Sequence, residues 1–299
     1  MANDTTLLID TSSLVYRALF STPDTVRTPQ GTSINAAHGF LGMLARLVQG
    51  QDPHFIACAT DESWRPQWRV ELIDSYKAHR AEPGSPQLEA EEKLAPQMPV
   101  LFELLRLCGI QVVGFPDYEA EDVIGTLAAR TKGPVAIVSG DRDLFQLVRD
   151  PDVRVLYPKK GVSQLTVIDE AYIEERFGIP GRSYRDYALL RGDPSDGLPG
   201  VKGIGEKSAS SLLAKFGTVD AVVDAARTNP RGMVLGKIAA HLDYIERARK
   251  VVTIPTDLPL PELDLTRPRS EPGTKVHELA ARYGLAGAVR RLAAALASG

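Results

Sequence analysis

The stretch IQVVGFPDYEAEDVIGTLAARTKGPVAIVSGDRDLFQLV, residues 110–148, decides the fold. Residues 110–113 form an apolar run of strand length, 120–130 repeat apolar residues at helical spacing, 135–138 form a second short run, and 142–148 return to helix. Short strands alternating with helices predict an α/β fold, a mostly parallel sheet with helices on both faces. Outward from this stretch the pattern repeats. Thr6-Leu7-Leu8-Ile9-Asp10 and Phe55-Ile56-Ala57-Cys58-Ala59 are two more short apolar runs, the second followed by Asp61. A helix is expected over 13–20 with Ser12 as N-cap, a loop over 22–33, and helices over 34–48 and 96–108.

Residues 63–92 mix Trp64, Trp68, Tyr76, Lys77, His79 and Arg80 with Pro83, Gly84 and Pro86. With little apolar periodicity, this segment is expected to stand off the core as a mobile excursion. From about residue 181 helices dominate. Residues 253–272 are rich in proline and are expected to wrap back over the first domain, before two Ala- and Leu-rich helices end the chain. The expected domains are therefore 1–180, 181–252 and 253–299.

No apolar run approaches the roughly 20 residues that cross a bilayer, and the start of the chain carries Asp4 and no basic residue. A cytoplasmic protein without membrane contact is expected. Cys58 and Cys108 sit in apolar stretches without metal-binding spacing, so buried reduced thiols are expected.

Charge is divided unevenly. Residues 1–181 hold 17 Lys and Arg against 25 Asp and Glu, and residues 182–299 hold 18 against 13. An acidic half that gathers metal, joined to a basic half that grips phosphates, fits this split. Ligands of an open parallel sheet bind beyond the C-terminal strand ends. Asp10, Asp61, Asp141 and Asp143 each follow a strand-like run; Glu119, Glu121 and Asp122 begin a helix; Asp193 and Asp196 flank a turn at the domain junction. Any one of them could be an ordinary helix cap. Nine converging carboxylates repel and resist burial unless hard cations fill the space between them. The all-oxygen set points to two or more Mg²⁺ or Mn²⁺ ions.

Leu198-Pro199-Gly200-Val201-Lys202-Gly203-Ile204-Gly205-Glu206-Lys207 is the sharpest local signal. Gly200, Gly203 and Gly205 permit tight turning before a helix N-terminus, and Lys202 and Lys207 add charge, which suits a phosphate held without base reading. Its carbonyls also offer a place for K⁺.

With these residues in view, the chain closely resembles the 5′-nuclease (flap endonuclease) family, in particular the nuclease domain of bacterial DNA polymerase I and free-standing 5′→3′ exonucleases. The resemblance is carried by Leu8-Ile9-Asp10-Thr11-Ser12-Ser13, by residues 74–80, by Glu119 to Gly125, by Ser139 to Asp143, and by Gly192 through Lys207, over roughly residues 5–255. It implies a PIN-like core, a helical arch over 74–95 and a helix-hairpin-helix subdomain. It assigns the nine acids to metal, Lys77 and Arg80 to the scissile or an adjacent phosphate, Tyr76 to packing beside the DNA, and Arg17 to a further phosphate. The implied substrates are 5′ flaps, nicks, gaps, single-stranded 5′ ends and RNA–DNA primers, met in replication and repair by a nucleoid-associated monomer. Because the chain ends at residue 299, a stand-alone nuclease without a polymerase domain is expected.

Three departures from the family pattern stand out. Glu121 replaces a common Asp, which is expected to alter metal spacing or preference. Arg142 replaces Lys, and Gly197 replaces Asn and is expected to loosen its turn. Two rival readings fit less well: a DNA-binding protein that has lost catalysis would lack acids that this chain retains, and a PIN-like ribonuclease would lack arch and hairpin.

Overall fold

The computed structural model describes residues 4–298. Residues 1–3, part of the chain start that carries no basic residue, and residue 299 lie outside the described residues. The sheet is built from β1 (Thr6–Asp10), β2 (Phe55–Ala59), β3 (Gln111–Val113), β4 (Val135–Val138), β5 (Val153–Pro158) and β6 (Leu165–Ile168), in the order β3-β2-β1-β4-β5-β6. The first five are parallel; β6 runs antiparallel to β5 at one edge.

Alternation along β1 sends Leu7 and Ile9 into one core and Leu8 into the other, all three fully buried. Each such side chain contributes roughly 1.5–3 kcal/mol, so the register of β1 is firmly fixed, and Asp10 with it. The chain runs from β1 outward through β2 and β3, then returns to the other side of β1 as β4. The crevice beyond the ends of β1 and β4 is thus the point where strand order reverses, the usual ligand position in such sheets.

Helix Ala120–Arg130 covers one face of the sheet; helices Thr11–Ser21, Asn35–Gln51, Met98–Leu107 and Ala286–Ala297 cover the other. Residues 253–267 cross the first face. Gly125 makes room for them, since a Cβ there would come within 2.3 Å of Ile254 and 2.6 Å of the Pro255 carbonyl. Arg130 donates to the Leu258 and Leu260 carbonyls at 2.5 and 2.7 Å. Further on, Thr266 pairs with Phe55 at the start of β2. Among the described residues, no helix is long and apolar enough to cross a membrane.

Several sequence expectations are corrected. The first helix begins at Thr11, with Asp10 as its N-cap accepting from the Ser13 N–H at 3.0 Å. Ser12 instead accepts from the Asp61 N–H at 3.1 Å, tying the first helix to the segment that follows β2. The expected helix over 142–148 is a 3-10 turn, Asp143–Leu147. Residues 63–92 do not stand off the core. They form helices Gln67–Leu72 and Pro86–Leu94 with the 3-10 turn Ala78–Ala81 between, and they bury Arg69, Tyr76 and Lys77. Their weak apolar periodicity has a physical cause: Ile73, Ala90 and Leu94 join the apolar core, but Arg69, Tyr76 and Lys77 are buried against carboxylates.

Candidate active site

The strand ends and helix starts meet around a cavity of about 970 Å³, lined among others by Asp10, Arg17, Asp61, Lys77, Arg80, Glu119, Glu121 and Asp141. Its floor is a lattice of serine and backbone bonds. Ser139 Oγ donates to Asp10 and accepts from the Asp141 N–H at 2.9 Å. Ser13 Oγ accepts from the Gly140 N–H at 3.1 Å, joining the end of β4 to the first helix. Asp61 accepts from the Ala120 N–H at 2.7 Å, and Asp141 from the Asp143 N–H at 2.8 Å.

One carboxylate group converges closely. Glu121, Asp141 and Asp143 each offer an oxygen, all within 4.8 Å of one another. Burial drives the Glu121 and Asp143 carboxyls well above the usual range, and neighbouring acids add to it. Asp193 and Asp196 contribute to that repulsion at Asp143. Burial likewise pushes Asp10 up to about 7 and Asp61 up to about 6, despite the bonds each accepts. These groups resist carrying charge together. Hard oxygen donors at this spacing, reluctant to stay ionised alone, fit a divalent cation.

Glu119 and Asp122 are engaged differently. Arg69, fully buried, donates through Nη1 to Glu119 and through Nη2 to Asp122 at 2.6 Å, with Glu121 at 3.1 Å from the same nitrogen. Tyr76 donates its hydroxyl to Glu119 at 2.7 Å, and Lys77 Nζ pairs with the other Glu119 oxygen. The second Asp122 oxygen closes a capping box on the Glu119 N–H at 3.0 Å. Burial opposes ionisation of Glu119, but Lys77 and Arg69 outweigh it and hold its pKa below the ordinary value. In this arrangement both acids balance buried cations, and Glu119 also lines the cavity.

The resemblance implied that Tyr76 packs beside the DNA; it is only 2% exposed and lies beneath Lys77, so that expectation is corrected. Arg80 donates to Asp196 Oδ1 and to the Ser195 carbonyl, both at 2.6 Å. Asp193 accepts from Ser195 and pairs with Arg191 at 3.5 Å. Arg17 reaches the cavity beside Gly140.

The glycine hairpin lies apart from the cavity lining. Gly200 and Gly203 adopt positive φ of 67° and 80°, and Gly205 caps helix Glu206–Phe216. Lys202 and Lys207 are exposed. Lys237 donates to the Gly203 carbonyl at 3.0 Å, so an ammonium already sits on one of the oxygens offered to K⁺.

Sequence reasoning missed Arg69 and Lys237. An arginine beside Trp68 in a short helix carries no distinguishing signal within one sequence, and Lys237 lies 34 residues from its partner.

Comparison with known proteins places this geometry. Residues 5–178 match the family profile of the 5′-3′ exonuclease N-terminal resolvase-like domain, and residues 179–272 match that of the 5′-3′ exonuclease C-terminal SAM fold. The chain belongs to the 5′-3′ exonuclease family. A 5′-3′ exonuclease of Streptomyces coelicolor is 48% identical, covering 96% of this chain and 98% of its own. One from Mycobacterium tuberculosis is 42% identical over 97% of each. The DNA polymerase I of Mycobacterium bovis is 39% identical over 87% of this chain and 28% of its own length. Among solved structures, a bacteriophage T5 flap endonuclease in complex with DNA and metal ions superposes with a TM-score of 0.69 at 16% identity, covering 98% of this chain and 100% of that one. Flap endonuclease-1 from Methanococcus jannaschii gives 0.63 at 20%, covering 99% and 93%. The protein is a nuclease of this family, and its acidic cluster has the character of a metal-dependent hydrolase site.

Proposed function

We propose that this nuclease cuts phosphodiester bonds at 5′ flaps, nicks, gaps and single-stranded 5′ ends of DNA, RNA primers included, during replication and repair. The observation that carries the reading is the convergence of Glu121, Asp141 and Asp143 at a cavity that Glu121 and Asp141 line together with Lys77, Arg80 and Arg17. Glu121, Asp141 and Asp143 would hold a Mg²⁺ or Mn²⁺ ion, with Asp10 and Asp61 positioned to serve another. Bound there, such ions supply activation of water and neutralisation of phosphate charge.

The chain's own residues supply the rest. Ser13 and Ser139 fix the Asp10 carboxylate, and the Asp143 N–H fixes Asp141, so neither carboxylate must reorganise when substrate arrives. Lys77 and Arg80 lie where they can offset charge on the scissile phosphate. To reach it, Lys77 must exchange Glu119 for phosphate, and Arg80 must exchange Asp196. The hairpin backbone with Lys202 and Lys207 would hold duplex phosphates without reading sequence. K⁺ at the hairpin would have to displace Lys237. We further propose a monomer acting in the cytoplasm on nucleoid DNA.

The test is cleavage of a 5′-flap duplex with Mg²⁺ or Mn²⁺, beside the Asp141→Asn and Asp143→Asn variants. Each variant is expected to lose at least about a hundredfold in kcat while still binding the duplex. Binding without cutting by the native protein would refute catalysis, and equal cutting by the variants would refute the site.

A further inference from the structure

We propose that Gly197 is a positioning residue: its missing side chain lets the backbone at Ser75–Lys77 seat on the 193–197 turn, and this seat holds Lys77 and Arg80 over the acidic cluster. Its catalytic consequence rests on the nuclease reading above; its structural consequence does not.

The approach is very close. A Cβ on Gly197 would lie 2.0 Å from the Ser75 carbonyl oxygen and 3.2 Å from the Lys77 nitrogen. Backbone cannot swing aside as a flexible side chain can, so any side chain here forces the two segments apart. Around that contact the seat is stitched by hydrogen bonds across more than 110 residues of sequence. Ser75 Oγ donates to the Gly197 carbonyl at 2.7 Å, and the Lys77 N–H donates to the Asp196 carbonyl at 2.8 Å. Arg80 adds its two bonds to Ser195 and Asp196. From the opposite side, Arg65 donates to the Tyr76 carbonyl at 2.7 Å.

The backbone of Lys77 supplies an independent sign. Its φ is +49°, a left-handed conformation that a lysine adopts only where its surroundings over-determine it. Here the Asp196 carbonyl takes its N–H, and Glu119 takes its ammonium. Releasing the Gly197 contact would remove the first restraint and let the residue relax. The turn therefore is not loosened by glycine, as the sequence suggested. Gly197 itself has a φ of +69°, which asparagine tolerates, but asparagine still carries the Cβ that the Ser75 carbonyl excludes. Close approach, beyond the turn alone, is what demands glycine.

The experiment uses the full chain without DNA. Native protein, Gly197→Ala, Gly197→Asn and Ser75→Ala are treated briefly with acetic anhydride, and labelling of Lys77 is read by peptide mass spectrometry against exposed Lys202. In the native protein Lys77 should label at least about tenfold more slowly than Lys202. Both Gly197 variants should bring it near the Lys202 rate, and Ser75→Ala should raise it part of the way. On a 5′-flap duplex, Gly197→Ala should lower kcat about ten- to a hundredfold with little change in KM, and should cost almost nothing further in a Lys77→Ala, Arg80→Ala background. Unchanged Lys77 labelling in a folded Gly197 variant would overturn the proposal. So would losses that simply multiply in the combined variant, or native protection in Gly197→Asn. If the Gly197 variants do not fold, Ser75→Ala decides by the same labelling. Should the native protein fail to cut, the functional reading falls while the labelling still decides this one.

Discussion

Arg69 is the residue on which the electrostatics of the site turn. It is fully buried and meets Glu119, Glu121 and Asp122 together. Removing one partner of a buried charge group typically costs about 3–5 kcal/mol, because the remaining charges lose their counterion. Arg69→Met is therefore expected to lower the thermal midpoint sharply, and added Mn²⁺ should recover more of the midpoint in this variant than in native protein. Scanning calorimetry with and without the ion checks both. The pH response follows from Asp10 and Asp61, whose folded pKa values of about 7 and about 6 lie above the usual carboxylate range. Raised acids favour the folded state most when protonated, so the stability they contribute without ions is full below about pH 4 and is lost as pH rises from there to about 7. Ions and protons compete for the same oxygens, so the Mn²⁺-induced rise in midpoint should be largest at pH 8 and small at pH 5. A rise independent of pH would show that these two carboxylates take no part. The sequence placed the acids correctly at strand ends and helix starts because strand periodicity reveals which residue comes last. It did not reveal which acids are already neutralised. That depends on Arg69 and Lys77 arriving from a segment whose own pattern carries no apolar signal.

At the scale of elements, legibility followed hydrophobic regularity. β1, β2 and β4 are buried on both faces and read as uninterrupted apolar runs. β5 and β6 escaped notice because Arg154 and Val167 face solvent and proline bounds the first of them. The 3-10 turn Asp143–Leu147 resembles a helix in pattern because Leu144 and Phe145 bury while their neighbours do not. Gly125 provides the sharpest test at this scale. In an isolated helix, Gly→Ala gains about 0.5–1 kcal/mol. Here the new methyl would strike Ile254 and the Pro255 carbonyl, and overpacking of that kind costs about 1–3 kcal/mol. Gly125→Ala is expected to destabilise the protein in a urea titration despite better helix propensity; a stabilised variant would show that residues 253–256 yield freely.

Across the whole molecule, charge separates along the chain, with seven of the nine acids proposed to gather ions in the first part and the exposed lysines of the hairpin in the second. Phosphate contacts release counterions on binding, so the logarithm of affinity falls with the logarithm of salt in proportion to their number. Lys202→Ala and Lys207→Ala should each reduce that slope by about one and weaken all duplex sequences alike. Fluorescence anisotropy over a range of KCl concentrations measures this, and a sequence-selective loss would mean that the hairpin reads bases. The stretch 253–267 acts on the same scale. It crosses the outside of helix Ala120–Arg130, the helix that carries Glu121, and then fastens to the start of β2, the strand that leads to Asp61. It works as a belt buckled across the carriers of two of the acids proposed to hold ions. A single proteolytic nick in that belt would leave every acid in the chain and the Asp61–Ala120 bond in place, yet remove the outer brace across both carriers, so activity is expected to fall without any change at the site itself.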